Sequence, residues 1–555
     1  MPTLTPKDVA ERYQRAKERR ATWENHWQEC YDYALPQRDG FISASRPGAK
    51  KTDKLFDGTA PDAVDQLAAS LLAQLTPPWA RWIGFTPGTK TTPEDREILA
   101  PELERAAATV QSHFNRSNFA VEMHQCFLDL VTAGTASLMF EETPTGDSSV
   151  FRFTAVPLSQ VMMEEGASGR LDTTLRRSEL SPAMFRARFP KAKLPDSISR
   201  RNTADPDSSI AVIEAVAPEK SAYAYMAVLA DDENSADPPV LAEGTFATSP
   251  FINFRWLKAP GEGYGRSPVM KTLPDIKTAN KVVELVLKNA SIAVTGIWQA
   301  DDDGVLNPAT IKLAPGTIIP KAVGSKGLTP LEAPGKFDLS QIMLKELRAH
   351  IRGALLADKL GQIDSPRMTA TEVIERSAEM ARILGATYGR LQSELLTPLV
   401  TRAVAILVRR GEIPALRLDG HTIDLQYKSP LAQIQAQKDA QNTLTWLNTV
   451  KTMGPEASAV VDGAAAARWL GRAFGVPDEL IRQTPAPDPA ANPLAALVGG
   501  KGMPDAEQIN DLIAGLGDIK GMPNAEQIND LIDKFGGALG IPSPMPKGVT
   551  ENAEK

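Results

Sequence analysis

The chain has 555 residues, too many for one hydrophobic core, so we expect about three or four modules. Its 61 lysines and arginines against 68 aspartates and glutamates make it mildly acidic, which argues against coating nucleic acid with a uniformly basic surface. The two cysteines, Cys30 and Cys126, indicate neither a disulfide framework nor a cysteine-based zinc site. We see no export signal and no apolar run near the ~20 residues that span a bilayer, so we expect no membrane partner.

The first predicted helix starts after Thr5, which can cap it, and runs to about residue 34. Trp23, Trp27 and Tyr31 recur every four residues along it and form an aromatic stripe. We expect this stripe to be an anchor in the core or in a subunit interface rather than a ligand site. A polar loop then leads to Leu55-Phe-Asp-Gly-Thr-Ala60 and to a helix of small residues that ends at Leu71-Leu-Ala-Gln-Leu-Thr-Pro-Pro-Trp79.

Two further helices are predicted, at about 92–115 and 119–131. The pattern then changes to short apolar runs bounded by turns, which are typical of strands. These runs lie at 138–142, 150–156, 171–180, 210–216, 222–229 and 250–256. The first 267 residues are therefore predicted to be helices followed by a mixed α/β region.

Two amphipathic helices are predicted at 268–294 and 338–360. The second places Leu339, Met343, Leu347, Ile351 and Leu355 on one face. Another face is basic and carries Lys345, Arg348, Arg352 and Lys359. In a monomer such a face is usually only solvated, whereas in a closed ring each cation is repeated as a belt of charge.

The segment between these helices, residues 295–337, is rich in glycine, proline and aspartate. Its three consecutive acids, Asp301 to Asp303, indicate a turn rather than a metal site, because no histidine or glutamate cluster lies nearby. The glycines of Gly261-Glu-Gly-Tyr-Gly-Arg-Ser-Pro268 have the spacing of neither a dinucleotide fingerprint nor a P-loop. A sharp structural turn before the helix is favoured.

A long helix is predicted to begin within Arg367-Met-Thr-Ala-Thr-Glu-Val-Ile-Glu-Arg376, where Thr369 and Glu372 can form a capping box, and to end near residue 410. A short strand near 423–427 and helices at about 430–452, 455–474 and 477–483 follow. The remaining tail contains a repeat: residues 501–513 recur almost unchanged as 520–532. Each copy encodes a short helix that either docks on a neighbouring subunit or waits for a partner.

The Met-Thr-Ala-Thr-Glu motif, the Asp-Gly-Thr loop with its Thr-Pro-Pro-Trp and the Tyr-Gly-Arg-Ser-Pro turn occur in an order that resembles the portal, or head-to-tail connector, of short-tailed bacteriophages. The resemblance implies an α+β, mainly helical fold that assembles as a ring around a central channel. It divides the chain into a wing (1–267), a first stem helix (268–294), a clip (295–337), a second stem helix (338–360), a tunnel loop (361–368), a long helix returning through the wing (369–427) and a helical crown (428–484). The tail at 485–555 lies outside it.

The resemblance further implies a ring of twelve copies at one capsid vertex of the virion, through which DNA is packaged and ejected. The implied partners are the chain itself, double-stranded DNA, the terminase motor, the major capsid and scaffolding proteins, and a tail or adaptor protein. Seven residues are the candidates for the DNA tunnel: Lys345, Arg348, Arg352, Lys359, Gln362, Ser365 and Arg367.

The alternative is a nonviral oligomeric scaffold or a nucleic-acid-binding adaptor built from the same helical modules. We do not expect an enzyme, a cofactor or a metal site. The five histidines are scattered, and the sequence shows no Walker A motif, nucleophile elbow or zinc signature.

Overall fold

The computed structural model describes residues 4–38, 40–41, 49–78, 80–88, 90–91, 93–144, 146–192, 194–205, 208–230, 238–295, 298–299, 329–330, 337–357, 385–415, 423–427, 430–453, 461–474 and 476. The chain divides into two compact units. The larger contains residues 1–458 and 473–475, and the smaller contains 459–472 and 476–555.

Eight helices precede residue 355 in the described chain. They are α1 (Pro6–Ala34), α2 (Thr59–Leu75), α3 (Pro93–Arg116), α4 (Phe119–Ala133), α5 (Pro182–Arg188), α6 (Asp196–Ala204), α7 (Pro268–Thr295) and α8 (Phe337–Ala354). Three more follow: α9 (Gly385–Arg410), α10 (Pro430–Thr452) and α11 (Gly463–Ala473). The start of α11 is capped by Asp462, whose Oδ1 accepts hydrogen bonds from the backbone N–H groups of Ala464 and Ala465, both at 3.0 Å.

The described strands form antiparallel sheets. A three-stranded sheet has the order β3 (Phe151–Val156), β2 (Thr135–Glu142), β9 (Phe251–Arg255). A five-stranded sheet follows chain order through β4 (Val161–Glu165), β5 (Leu171–Leu180), β6 (Ile210–Glu219), β7 (Ala222–Leu229) and β8 (Val240–Phe246). Two short pairs join β1 (Ile83–Pro87) to β12 (Ile423–Tyr427) and β10 (Trp298–Gln299) to β11 (Thr329–Pro330).

The five-stranded sheet is covered on both faces. Successive residues of a strand point to opposite sides, and β6 uses both sides to bury apolar groups. Ile213 packs with Val9 and Tyr13 of α1 on one face. Val212 packs with Phe185 of α5 on the other face. This arrangement explains why β6 is an almost continuous apolar run rather than an alternating one.

The aromatic stripe of α1 lies at the main core, which also contains residues of α2, α3, α4, α7, α8, α9 and the three-stranded sheet. Trp27 is fully buried, and its indole Nε1 donates to the carbonyl oxygen of Ala133 at 3.0 Å. Tyr31 is also buried, and its hydroxyl lies 3.2 Å from Oδ1 of Asp129. Trp23 is half-buried, with the Arg266 guanidinium 4.9 Å from the centre of its ring. In the isolated chain, two members of the stripe are thus core residues.

The predicted helices and strands agree with the structure in most of the described chain, which confirms an α+β fold. The capping box of α1 is present, since Thr5 and Asp8 exchange hydrogen bonds across the first turn. Strands β1, β4 and β8 were not predicted, because each is short and its apolar pattern is weak. The predicted start of the long helix at Thr369, the helix at 477–483 and the repeated tail lie outside the described residues.

The second amphipathic helix is shorter than predicted. It ends at Ala354 rather than at residue 360, and Leu356 adopts a left-handed conformation with φ of 58°. Its buried face is also rotated: Leu344, Ile351 and Leu355 are buried, whereas Met343 is 49% exposed. Met343, which the sequence places on one face with Ile351 and Leu355, therefore does not lie in the core of the isolated chain.

Helix α9 is, by length and composition, apolar enough to cross a membrane, in contrast to the expectation from the sequence. However, 61% of its most apolar window is buried inside the protein. Buried members include Leu391, Leu395, Leu399 and Leu407, which belong to the main core. Such burial is typical of a helix at the centre of a globular domain, which is apolar on most of its sides.

The glycine-rich turn before α7 is a packing device. A Cβ atom on Gly265 would lie 2.1 Å from the carbonyl oxygen of Gly134, so no other residue fits there. Gly134 itself has φ of 80° and ends α4 in the left-handed conformation. Ser267 Oγ completes the junction by donating to the carbonyl oxygen of Thr132 at 2.8 Å. Within the motif, Gly265 thus allows close backbone contact and Gly261, with φ of 82°, allows a turn, in agreement with the structural interpretation of this motif.

We expect Trp27→Ala to lower the free energy of unfolding by about 3–5 kcal/mol, because it empties a buried site and removes the indole hydrogen bond. Trp23→Ala is the matched control and should cost clearly less, since that side chain is partly in water. Urea denaturation followed by circular dichroism measures both. Equal losses for the two variants would contradict the distinction between them.

Candidate functional site

The two helices that the sequence assigns to a channel wall, α7 and α8, pack side by side. The chain leaves α7 through β10 and returns through β11, which pairs with β10 just before α8 begins. At the other end, His350 Nδ1 of α8 lies 2.8 Å from Asp275 Oδ2 of α7. The beginning of α7 therefore meets the end of α8, and the two helices run in opposite directions.

A loop at residues 54–59, before α2, anchors both helices to the body of the protein. Asn280 of α7 is buried, and its side-chain oxygen accepts hydrogen bonds from the backbone N–H groups of Phe56 at 2.6 Å and Asp57 at 3.0 Å. Its side-chain nitrogen donates to the carbonyl oxygen of Lys54 at 2.8 Å. One amide thus satisfies three backbone groups of the loop.

The same loop holds α8 through an ion pair. Nε and Nη2 of Arg348 each lie 2.8 Å from Oδ2 of Asp57. Oδ1 of Asp57 accepts a hydrogen bond from the backbone N–H of Thr59 at 2.9 Å. Burial alone raises the pKa of Asp57, but the hydrogen bonds from Thr59 and the guanidinium of Arg348 outweigh it and leave the pKa below its ordinary value. Asp57 is therefore held as a buried carboxylate at neutral pH.

These contacts change the role predicted for Arg348. Its guanidinium is bound to Asp57, so it is not a free cation on the face of α8. Lys345 and Arg352 lie on the same side of the helix, are exposed, and have no ion-pair partner among the described residues. Lys359, Gln362, Ser365 and Arg367 lie outside the described residues. The predicted basic stripe thus consists, within the described part of α8, of Lys345 and Arg352.

The far halves of α7 and α8 carry exposed apolar side chains. Leu285 is 49% and Leu287 is 54% exposed on α7, and Ile342 is 66% exposed on α8. Leu285 and Leu287 are two residues apart, so they project roughly 200° apart around the helix axis. One partner helix can cover only one of these sides. The helix pair therefore presents apolar surface in more than one direction.

A second anchor, the Arg255–Glu394 pair, joins the end of β9 and the turn before α7 to α9. Arg255, at the end of β9, is fully buried, and its Nη2 and Nε lie 2.7 Å and 3.2 Å from the carboxylate oxygens of Glu394. The backbone N–H of Arg255 also donates to Glu394 at 3.0 Å. The remaining guanidinium bonds go to the carbonyl oxygens of Gly263 at 2.8 Å and Gly169 at 2.7 Å. The Arg255 side chain thus joins β9 to α9, to the turn before α7 and to the hairpin between β4 and β5.

Glu394 lies in a π-helical turn of α9 that spans Gln392–Leu396. The carbonyl oxygen of Gln392 accepts both the backbone N–H of Thr397, five residues later, and the hydroxyl of Thr397, at 2.9 Å. Arg390 adds a further hydrogen bond to Glu394 at 3.0 Å. A π turn interrupts the regular ladder of an α-helix, and here it coincides with the buried ion pair.

Sequence patterns alone did not reveal these anchors. The Asp57 loop was recognised as a motif, but its partners Asn280 and Arg348 follow more than 200 residues later. Arg255 and Glu394 are 139 residues apart and belong to no local motif. Nothing in local spacing signals such pairs. Among the described residues, no group of three or more histidine, cysteine, aspartate or glutamate side chains could hold a metal ion.

We expect Arg348→Met to lower the free energy of unfolding by about 1–3 kcal/mol, because it leaves the buried Asp57 carboxylate without its cation. Arg352→Met, one turn further on, is the control and should change stability by at most about 0.5 kcal/mol. Because the pKa of Asp57 is lowered in the folded state, its ionised form stabilises the fold at neutral pH, and this contribution is lost as pH falls below about 4. Urea denaturation at pH 7 and pH 3 should therefore show the two variants converging in acid; a constant difference would contradict the role of the ion pair.

Known proteins resemble the chain along most of its length. The family described as "Bacteriophage head to tail connecting protein" matches residues 6–481. A "Probable portal protein" of Bordetella phage BPP-1 is 26% identical over 85% of this chain and 87% of its own length. The portal protein of Salmonella phage epsilon15 is 22% identical over 84% and 86%, and that of Escherichia phage T7 is 22% identical over 73% and 75%.

Among solved structures, a chain described as "Neck of native GTA particle computed with C12 symmetry" is 12% identical, covers 77% of this chain and 96% of its own length, and has a TM-score of 0.33. The family match includes the Asp57 loop, α7, α8 and the π turn of α9. It sets aside the alternative of a nonviral scaffold, because the family is a viral one. The chain belongs to the bacteriophage head-to-tail connecting protein family.

Proposed function

We propose that the chain is the portal subunit of a short-tailed bacteriophage and forms a ring, of twelve copies by family resemblance, at one capsid vertex. DNA enters the capsid during packaging, and leaves it during ejection, through the axis of this ring. The protein makes and breaks no covalent bond in this role. Family membership and the portal proteins similar to the chain over most of their length support the proposal.

The observation that best supports a ring is the exposed apolar surface on the α7–α8 pair. A closed ring of identical subunits gives each subunit two different neighbours, one on each side. Leu285 and Leu287 project to nearly opposite sides of α7, and Ile342 is exposed on α8. Isolated exposed leucines need no explanation, but these three side chains and the exposed Met343, all on one packed helix pair, are suited to contact with two neighbours.

In this proposal α7 and α8 form the stem that surrounds the channel. Lys345 and Arg352, repeated around the ring, make belts of positive charge that contact the phosphate backbone without reading bases. Such contacts are weak and screened by salt, which lets DNA slide. Arg348 has another task, because it holds α8 to the Asp57 loop.

The other segments take the roles that the family resemblance implies. The wing (1–267 and the returning helix) contacts the capsid shell and the scaffolding protein. The clip (295–337) binds the terminase motor during packaging and the tail or an adaptor afterwards. The loop at 361–368, with Gln362, Ser365 and Arg367, approaches DNA at the inner end of the stem.

Purified wild-type protein should form rings with an axial hole, visible by negative-stain imaging and by mass photometry. Leu287→Asp combined with Ile342→Asp should shift the protein to monomers, because each charge would be buried in a subunit contact. Met184→Asp is the control, since Met184 is 61% exposed on α5 and lies away from the stem. A wild-type protein that stays monomeric, or a double Asp variant that assembles normally, would contradict the proposal.

Replacing Lys345 and Arg352 together, as Lys345→Gln with Arg352→Gln, should leave ring assembly intact and change the length or retention of packaged DNA. The reason is that these cations contact only the passing phosphates. In vitro packaging followed by gel analysis of protected DNA measures the effect. Loss of rings in this variant would instead place the two cations in a subunit contact.

A further inference from the structure

Helix α10 carries an uncovered apolar face that the stem does not explain. Among the described elements it packs against α2, and Ala440 is fully buried. Beyond Ala440, Leu444 is 37%, Trp446 is 50% and Met453 is 70% exposed. Exposed tryptophan and methionine so close together are typical of the centre of a protein interface rather than of a solvated surface.

Four threonines of α10 are also compatible with burial. The hydroxyls of four threonines donate to carbonyl oxygens of their own helix, at 2.6 to 2.9 Å, and thus need no water or partner. These threonines are Thr443, Thr445, Thr449 and Thr452. Between residues 439 and 453 the only charged side chains are Asp439 and Lys451. Few charged groups on this part of α10 would lose solvation in a protein contact; the exposed amides of Gln441, Asn442 and Asn448 can form hydrogen bonds with a partner.

The exposed apolar groups lie on two sides of the helix. Leu444 and Trp446 are two residues apart, so they project roughly 200° from one another around the axis. A single partner helix against one side would leave the other apolar side chain in water. Two neighbours, one on each side, cover both. This is the same arrangement as that of Leu285 and Leu287 on α7.

We propose that α10 of each copy packs between the α10 helices of the two neighbouring copies, with its Trp446 side against one and its Leu444 side against the other. The inference rests on the proposed ring and adds a second belt of contacts, separate from the stem. A heterologous interface suits this helix, because its two sides differ and the contact therefore joins unlike surfaces.

The test uses the accessibility of engineered thiols. Leu444→Cys and Trp446→Cys are introduced singly, and their rates of reaction with a maleimide are measured in purified rings and in the monomeric Leu287→Asp, Ile342→Asp background. The native Cys30 and Cys126 are buried and contribute little background. Met184→Cys serves as the exposed reference.

We expect both thiols to react at least about tenfold more slowly in the ring than in the monomer, because an interface core excludes water and reagent. Purified rings contain only this chain, so such protection identifies a second copy as the occupant. Equal rates in ring and monomer would overturn the inference while leaving the ring itself intact. Protection in the monomer as well would also overturn it, since the chain would then cover its own helix. Absence of rings in the wild-type protein would remove the proposed function together with this inference.

Discussion

The buried ion pair of Arg255 and Glu394 is the contact on which the arrangement of the larger unit depends. It joins the end of β9 to the π turn of α9, and its remaining hydrogen bonds reach the turn before α7 and the hairpin between β4 and β5. A guanidinium that is fully buried is tolerated only when its donors are satisfied, so these four segments are constrained to meet at one point. Removing either partner would leave an uncompensated charge in the core. The position of α7 is therefore set partly by a core residue, Arg255, which lies 13 residues before the helix starts.

The Asp57 loop holds α7 and α8 at a second point. Asn280 binds its backbone, and Arg348 binds its carboxylate, so α7 and α8 are fixed to α2 by polar contacts in addition to apolar packing. This explains why the apolar stripe of α7 is buried up to Ala279 and then becomes partly or largely exposed. In the described part of the chain beyond this loop, Leu285 and Leu287 of α7 and Ile342 of α8 are exposed. The exposed apolar groups of α7 and α8 thus begin where the anchored part of the two helices ends.

Much of the local structure followed from the sequence. Short-range patterns predicted the capping box at Thr5, the aromatic stripe and the glycine turn before α7. They also predicted the helices α7 and α8. The apolar pattern did not locate the end of α8, which stops at Ala354, beside Gly353 and two residues before the left-handed Leu356. The pattern also did not show which of the adjacent residues Met343 and Leu344 is buried, because contact with α2 and α7 decides it.

The sequence by itself determined the family, the α+β class and the order of most described helices and strands, because these depend on motifs and periodicities that lie within a few dozen residues. Tertiary structure decided which charges are free and which are fixed. Lys345, Arg348 and Arg352 share one face of a helix and look equivalent in sequence, yet only Arg348 reaches the buried Asp57, which is 291 residues away in the chain. The physical reason is that the energy of an ionic group depends on its partner and its burial. Both come from distant parts of the chain, and no local pattern records them.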